Sequence, residues 1–208
     1  AKIAFVLGDN PLLSKTDIYN LTILNYADYI LCPDSYWKQQ LENVGIKRIY
    51  FDQIGFELDA NTKNNDQISV TSTKKVSFIG RTYRDSDGYK RALFLSKFVK
   101  YDLQIFTSYD IFWEKWLNFF PELRDKIVYL KSSLSSKAVS KLYVESCFSP
   151  VDGNSGLING IHLRFFDILQ AGSLPIVEYK KDYETAFKGI EVPQIFSYDK
   201  ALEIADYY

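Results

Sequence analysis

The residues able to do chemistry gather in two stretches. The first is Ile79-Gly80-Arg81, followed closely by Arg84, Lys90 and Arg91. The run Lys75–Ile79 before it reads as a strand, and residues 89–100 after it read as a helix. A strand, a glycine and a helix in that order suit a phosphate. The glycine admits the backbone closely, and helix N-terminal N–H groups and basic side chains favour an anion. A guanidinium on a diphosphate contributes about 1.5–3 kcal/mol per charge-assisted bond. The three-glycine dinucleotide pattern is not there, so an ordinary solvated basic loop fits the same residues.

The second stretch runs from Gly160 to Val177. Ile161, Phe165, Ile168 and Leu169 fall on one face of a helix. Arg164 and Asp167 stand on a different face. Gly172 is placed to take the left-handed conformation that ends a helix. The run from Leu174 to Val177 is then a buried strand with Pro175 near its start, where a strand tolerates it. A helix packed on a sheet and offering Arg164 and Asp167 from another face can line a ligand crevice. The same spacing also suits an exposed ion pair between them.

Both stretches need a sheet to position them, and the rest of the chain supplies one. The run from Lys2 to Leu7 reads as a buried parallel strand ending in the turn Gly8-Asp9-Asn10-Pro11. Ligands of open α/β sheets bind outside the carboxyl ends of strands, which makes Asp9 and Asn10 candidate cleft residues and Asp9 the candidate catalytic group. A plain Asx turn is the alternative. A helix over 16–26, a strand over 28–32, a helix opened by Pro33-Asp34-Ser35 and closed at Gly45, and a strand over 46–51 follow. Residues 1–56 thus read as β-α-β-α-β, half of a doubly wound sheet. The polar tract 59–66 reads as a linker. Beyond it, strands over 75–79, 102–106, 127–130, 147–151, 174–177 and 192–196 alternate with helices, one of them ended by Pro121. The segment from Asp152 to Gly156 reads as a flexible loop facing the crevice. The expected fold is α/β, with two Rossmann-like doubly wound parallel-sheet units. An incomplete first unit with its linker spans 1–67, and the second spans 68–208.

Composition narrows the function classes. The chain of 208 residues is 47% apolar, ample for a core, and carries a net charge of −1, which gives no electrostatic case for a nucleic-acid partner. It starts at Ala1 and holds no methionine, as expected of a processed product or a piece of something longer. No apolar run is long enough to span a bilayer. Cys32 and Cys147 lack metal spacing, and Cys147 is expected to be buried as a small apolar residue. His162, the sole histidine, has a titration range that suits a general base, but it points roughly opposite Arg164 on the helix, so packing or plain surface is its expected role.

The pattern Arg164-x-Phe166-Asp167-x-Leu169-x-Ala171-Gly172-x-x-Pro175, continuing through Glu178-Tyr179 to the segment from Asp182 to Phe187, resembles the donor-binding domain of GT-B glycosyltransferases, and within them the CgeB-like group. Phe165 before Phe166, Gln170 at a usually small position and Ser173 at a usual glycine are departures. Phe78-Ile79-Gly80-Arg81 with Gly88-Tyr89-Lys90-Arg91 resembles the first strand and loop of such domains, where a basic residue meets the diphosphate. The resemblance covers residues 75–208 best.

It implies that Gly80, Arg81 and Lys90 hold a diphosphate and that Arg164 and Asp167 hold the nucleotide. Asp167 would accept hydrogen bonds from the ribose hydroxyls, since a carboxylate offers two acceptor oxygens to a vicinal diol. Many retaining members carry a second glutamate upstream. The corresponding residue here is Asn159, which leaves the stereochemical outcome open. Asn159 and Gly160 are then implied to offer an amide and backbone N–H groups to the sugar or diphosphate. The implied activity is that of a metal-independent Leloir-type hexosyltransferase of polysaccharide biosynthesis. It would move a sugar from a nucleotide-diphosphate donor to a hydroxyl on a glycan, a lipid-linked acceptor or a protein. No cofactor and no metal are expected, and a cytoplasmic setting is, with association at the inner membrane face left open. A non-catalytic binding or assembly module of the same fold is the second reading, favoured by the missing glutamate. A response-regulator or flavodoxin-like domain is a third, suggested by Asp9 and Asp28.

Overall fold

The computed structural model describes residues 2–7, 22–52, 74–108 and 111–208. The turn at 8–11, with Asp9 and Asn10, most of the expected helix over 16–26 and the linker 59–66 lie outside them. The chain forms two compact units. The first comprises Ala1–Gly55, Gly153–Leu163 and Tyr179–Glu191, and the second Phe56–Asp152, Arg164–Glu178 and Val192–Tyr208.

In the first unit, β1 (Ala4–Val6), β2 (Tyr29–Cys32) and β3 (Ile49–Phe51) form a parallel sheet in sequence order. Helix α1 (Ser35–Asn43) links the last two strands. It begins where sequence chemistry says it should, since Asp34 caps the N–H groups of Tyr36 and Trp37. It stops at Gly45, which takes φ +88°. Trp37 and Leu41 of α1, together with Leu24, pack on Ile30, Cys32 and Ile49. Leu24 and α1 therefore cover the same sheet face. This corrects the expectation of a buried β1, because Ile3 and Val6 are exposed on the unit's surface.

In the second unit, β4 (Lys75–Ile79), β5 (Asp102–Ser108) and β6 (Ile127–Leu130) are parallel in the order β4-β5-β6, and β7 (Ser149–Val151), β8 (Pro175–Glu178) and β9 (Gln194–Ile195) in the order β7-β8-β9. A parallel bridge between Val76 and Phe148 sets β4 beside β7. The six strands thus run β6-β5-β4-β7-β8-β9, the order of a doubly wound sheet. Helices α2 (Ser86–Ser96), α3 (Ile111–Leu117) and α7 (Ala201–Tyr207) pack on one face, burying Phe94, Phe98, Trp113 and Ala201 against Val76 and Phe78. Ser77 points the other way, where Ser146, just past α4 (Ser136–Val144), donates to it at 2.8 Å. Helix α5 (Leu163–Gln170) follows β7; the short α6 (Asp182–Ala186), which follows β8 in the chain, belongs to the first unit.

Several boundaries move for local reasons. Helix α2 starts before Tyr89, because Asp85 caps it. Pro121 does not merely interrupt α3 but opens a 3-10 turn, Pro121–Lys126, as its fixed φ allows. Gly172 closes α5 with φ +78°, as expected. On α5, Phe165 and Ile168 are buried as expected, but Phe166 takes the core place expected of Leu169, which is exposed. Cys147 is exposed rather than buried, its thiol donating to the Lys75 carbonyl.

Candidate functional site

The switch point of the second unit lies between β4 and β7, where the connections leave in opposite directions. Gly80 and Arg81 follow β4, and Asp152 follows β7. Asp152 is buried, which corrects its reading as part of a flexible loop. Its Oδ2 accepts from Arg91 Nε at 2.7 Å, and its Oδ1 accepts from Arg164 Nη1 at 3.0 Å. Arg91 is also buried rather than on the surface, at 2% exposure. Burial alone would weaken its charge, but the adjoining Asp152 carboxylate, with Tyr83 adding to it, more than offsets this and holds its pKa above the ordinary value. Phe78 carries both guanidinium groups, with Arg164 4.4 Å and Arg91 5.4 Å from its ring centre.

Arg164 has further partners. Its Nε donates to the Ile79 carbonyl at 3.1 Å. The buried Tyr143 phenol has its pKa pushed up to about 12 by burial, while Arg164 pulls it down. A Cβ on Gly80 would stand 2.8 Å from Arg164 Nη2, so the glycine is what lets this guanidinium lie against the end of β4. Arg164 pairs with Asp152 rather than with Asp167, the partner that helical spacing suggested.

Above this buried layer sits an accessible one. Arg81 is exposed, and its side chain makes no ion pair among the described residues. Lys90 bonds Glu178, at the end of β8, at 2.7 Å. The loop between β4 and α2 is held by its backbone. Gly80 N–H donates to the Phe106 carbonyl, Arg91 Nη1 to the Arg81 carbonyl, Trp116 Nε1 to the Tyr83 carbonyl and Lys115 to the Arg84 carbonyl. A Cβ on Gly88 would lie 2.0 Å from the Tyr83 carbonyl oxygen, so only glycine lets the loop fold over the first turn of α2. That helix end was expected to offer its N–H groups to an anion. Instead Asp85 occupies it, accepting from the Asp87 N–H. Attraction for an anion therefore falls to the side chains.

Asp167 stands on α5 beside a cavity of about 1190 Å3, walled also by Lys137, Ser140 and Lys141 of α4. Partial burial pushes its carboxyl above its ordinary value, and Arg164 draws it part of the way back.

Asn159 and Gly160 belong to the first unit and have partners there. Both backbone N–H groups donate to Asp34 Oδ2, at 3.0 and 2.9 Å. The Asn159 side-chain amide donates to Ser35 Oγ at 2.9 Å, and the Asn159 backbone carbonyl accepts from the Asp182 N–H. Asp182 in turn accepts from Ser35 N–H at 3.0 Å. His162 is partly buried. Asp9 lies outside the described residues.

The sequence singles out Gly80, Arg81 and Lys90 as candidates but not the pairing of Asp152 and Glu178 or the burial of Arg91. Ion pairs joining a helix to distant strand ends leave no local pattern. The one available signal was that each acid closes a strand in a doubly wound order. Among the described residues, no group of three or more His, Cys, Asp or Glu side chains is placed to hold a metal, and no helix is long and apolar enough to cross a membrane.

No protein-family model and no curated sequence matches the chain. Its fold is similar to those of GT-B glycosyltransferases. S. aureus TarM superposes with a TM-score of 0.68 at 12% identity, over 99% of this chain and 43% of that one. Anabaena HepE, solved with UDP-glucose, gives 0.65 at 11% identity, over 99% and 62%. An E. coli trehalose-6-phosphate structure, bound to UDP-2-fluoro glucose, gives 0.63 at 12% identity, over 99% and 59%. At these identities the likeness is one of fold. The chain spans from 43% to 62% of the lengths of these three neighbours.

Proposed function

We propose that the chain is part of a GT-B glycosyltransferase, its second unit binding a nucleotide-diphosphate sugar for transfer to a hydroxyl acceptor. The observation that carries this reading is the basic switch point. Beside the buried Arg91–Asp152–Arg164 cluster stand exposed Arg81 and the half-buried Gly80 and Lys90, the last paired with Glu178. The neighbours' UDP-sugar complexes are consistent with it at the level of fold. In this reading both GT-B units are Rossmann-like, and the CgeB-like affiliation rests on the residue pattern around Arg164 and Asp167.

Transfer breaks the bond between the sugar anomeric carbon and the diphosphate oxygen, which leaves with the electron pair. The acceptor oxygen bonds the anomeric carbon and gives its proton to a base. Arg81 would neutralise the leaving diphosphate, with Lys90 turning from Glu178 to assist it, so no metal is required for that step. Asp167 would hold the ribose. Asp9, which lies outside the described residues, is the proposed base. The acceptor is a glycan or other hydroxyl compound, in a cytoplasmic setting.

The test is calorimetric titration with UDP, GDP, ADP and dTDP, repeated with Asp167→Ala. One nucleotide should bind, and the variant should weaken it by about 1–3 kcal/mol without unfolding. Unchanged affinity would remove Asp167 from the site. Turnover of the bound donor should survive EDTA. A non-catalytic module of the same fold is the competing reading. It is favoured by Asn159, which stands where a retaining enzyme carries a glutamate and whose groups are engaged by Asp34, Ser35 and Asp182. Such a module would bind nucleotide without turnover.

A further inference from the structure

Arg81 is exposed at the switch point, yet its backbone is held from beneath. Arg91 Nη1 donates to the Arg81 carbonyl, while Arg91 Nε is fixed on Asp152 at 2.7 Å. The same guanidinium lies 4.7 Å from the Tyr83 ring centre and 5.4 Å from that of Phe78. Asp152 cannot swing to follow a moving arginine, because Arg164 holds its other oxygen at 3.0 Å. One residue before, Gly80 N–H is tied to the Phe106 carbonyl at 3.0 Å. The peptide that follows the Arg81 Cα and the one that precedes Gly80 are therefore held, which restrains the Arg81 backbone while its exposed side chain makes no ion pair among the described residues.

We propose that Arg91 and Asp152 are positioning residues for anion recognition, fixing the Arg81 backbone so that its guanidinium meets the diphosphate of the donor. Both roles rest on the donor reading given under Proposed function. Arginine is required at position 91 because one planar group must bond a carboxylate and a carbonyl along different N–H directions while lying close to two aromatic rings. A lysine ammonium keeps the charge but has neither the fork nor the plane. Preorganisation of this kind acts on the diphosphate alone. A nucleoside monophosphate, which lacks the β-phosphate, should feel it little.

The test is titration of the full chain with UDP, UMP and inorganic pyrophosphate, the last as a probe that carries no base. The proteins are wild type, Arg91→Lys, and Arg91→Gln, the last as the variant to use if the lysine one does not fold, since Asp152 and Arg164 then remain paired with each other. Arg91→Lys should cut the preference for UDP over UMP by about tenfold, or about 1.4 kcal/mol, and weaken pyrophosphate alike, with UMP affinity changed by less than about threefold. A merely structural role would weaken UDP and UMP together and leave their ratio standing. A ratio within about twofold of wild type in a folded variant overturns the proposal and leaves the donor reading intact. Wild-type protein that binds neither UDP nor pyrophosphate overturns the diphosphate reading itself, and this inference with it.

Discussion

Removing the Asp34 side chain should cost the first unit several kcal/mol of stability, on the order of 4. Its carboxylate is fully buried and accepts four backbone N–H groups: Tyr36 at 2.7 Å, Trp37 at 3.1 Å, Asn159 at 3.0 Å and Gly160 at 2.9 Å. Two of these are the cap of α1, whose loss costs about 0.5–2 kcal/mol. The other two would be left without a partner at about 1–3 kcal/mol each, Asn159 toward the low end because it is only part-buried. Asp34→Ala should therefore lose about 4 kcal/mol, a large share of the roughly 5–15 kcal/mol typical of a folded protein. Asp34→Asn should fall between, since its oxygen keeps the cap while its amide confronts the Asn159 and Gly160 donors. Urea unfolding measures the loss, and amide exchange at Asn159 and Gly160 locates it. A loss under about 1 kcal/mol, with both amides still protected, would refute this account of the carboxylate.

Gly88→Ala should destabilise the second unit by about 1–3 kcal/mol, the usual range for overpacking, because the Tyr83 carbonyl stands 2.0 Å from the new methyl; thermal melting checks it. Gly172→Ala forces a side chain to φ +78° and should cost about 1–2 kcal/mol in the same assay. The carboxyls of Asp167 and Asp182 are both raised above their ordinary 3.8, chiefly by burial, so the folded chain holds these protons more tightly than the unfolded one. Stability then falls as pH climbs from the unfolded value through the raised folded one. Asp167→Asn should flatten part of that fall in a pH series of melts, leaving the protein at least as stable at neutral pH while nucleotide affinity drops. Under native conditions a thiol reagent should label Cys147 and spare Cys32, which is buried and has its pKa raised to about 11 by that burial; equal labelling rates would contradict the packing of β2.

The elements with local signatures were legible. Lys75–Ile79 is a strand to the residue, Asp34 caps its helix, and Gly172 ends α5 where a left-handed residue was needed. What sequence concealed is long-range pairing. The cap of Asp34 lies two and three residues on, but the partners of its second oxygen lie 125 and 126 residues away. Arg91 beside Lys90 looked like one more surface cation. Its partner Asp152 is 61 positions distant, inside a stretch whose glycines and polar residues spell a loop. Cys147 misled for a related reason. Cysteine is usually buried, but this one sits just outside the sheet, where β7 has not yet begun.

Stability alone does not account for two buried guanidinium groups facing one carboxylate. Replacing a buried ion pair by apolar residues of similar size is often neutral or favourable, and the desolvation of a second cation adds cost. The cluster of Arg91, Arg164 and Asp152 sums to one positive formal charge, Lys90 and Glu178 cancel, and Arg81 adds one more at the surface. The chain as a whole carries −1, so this positive field is local rather than a basic face of the kind that holds a polyanion. A compact anion fits such a field. It would enter where the cost of gathering and desolvating the cations has already been met by folding, so its own binding need not pay for their reorganisation. Screening supplies a check on the geometry: exposed Arg81 should make binding weaken with salt, while the buried pair beneath it, shielded from counterions, should not loosen over the same range.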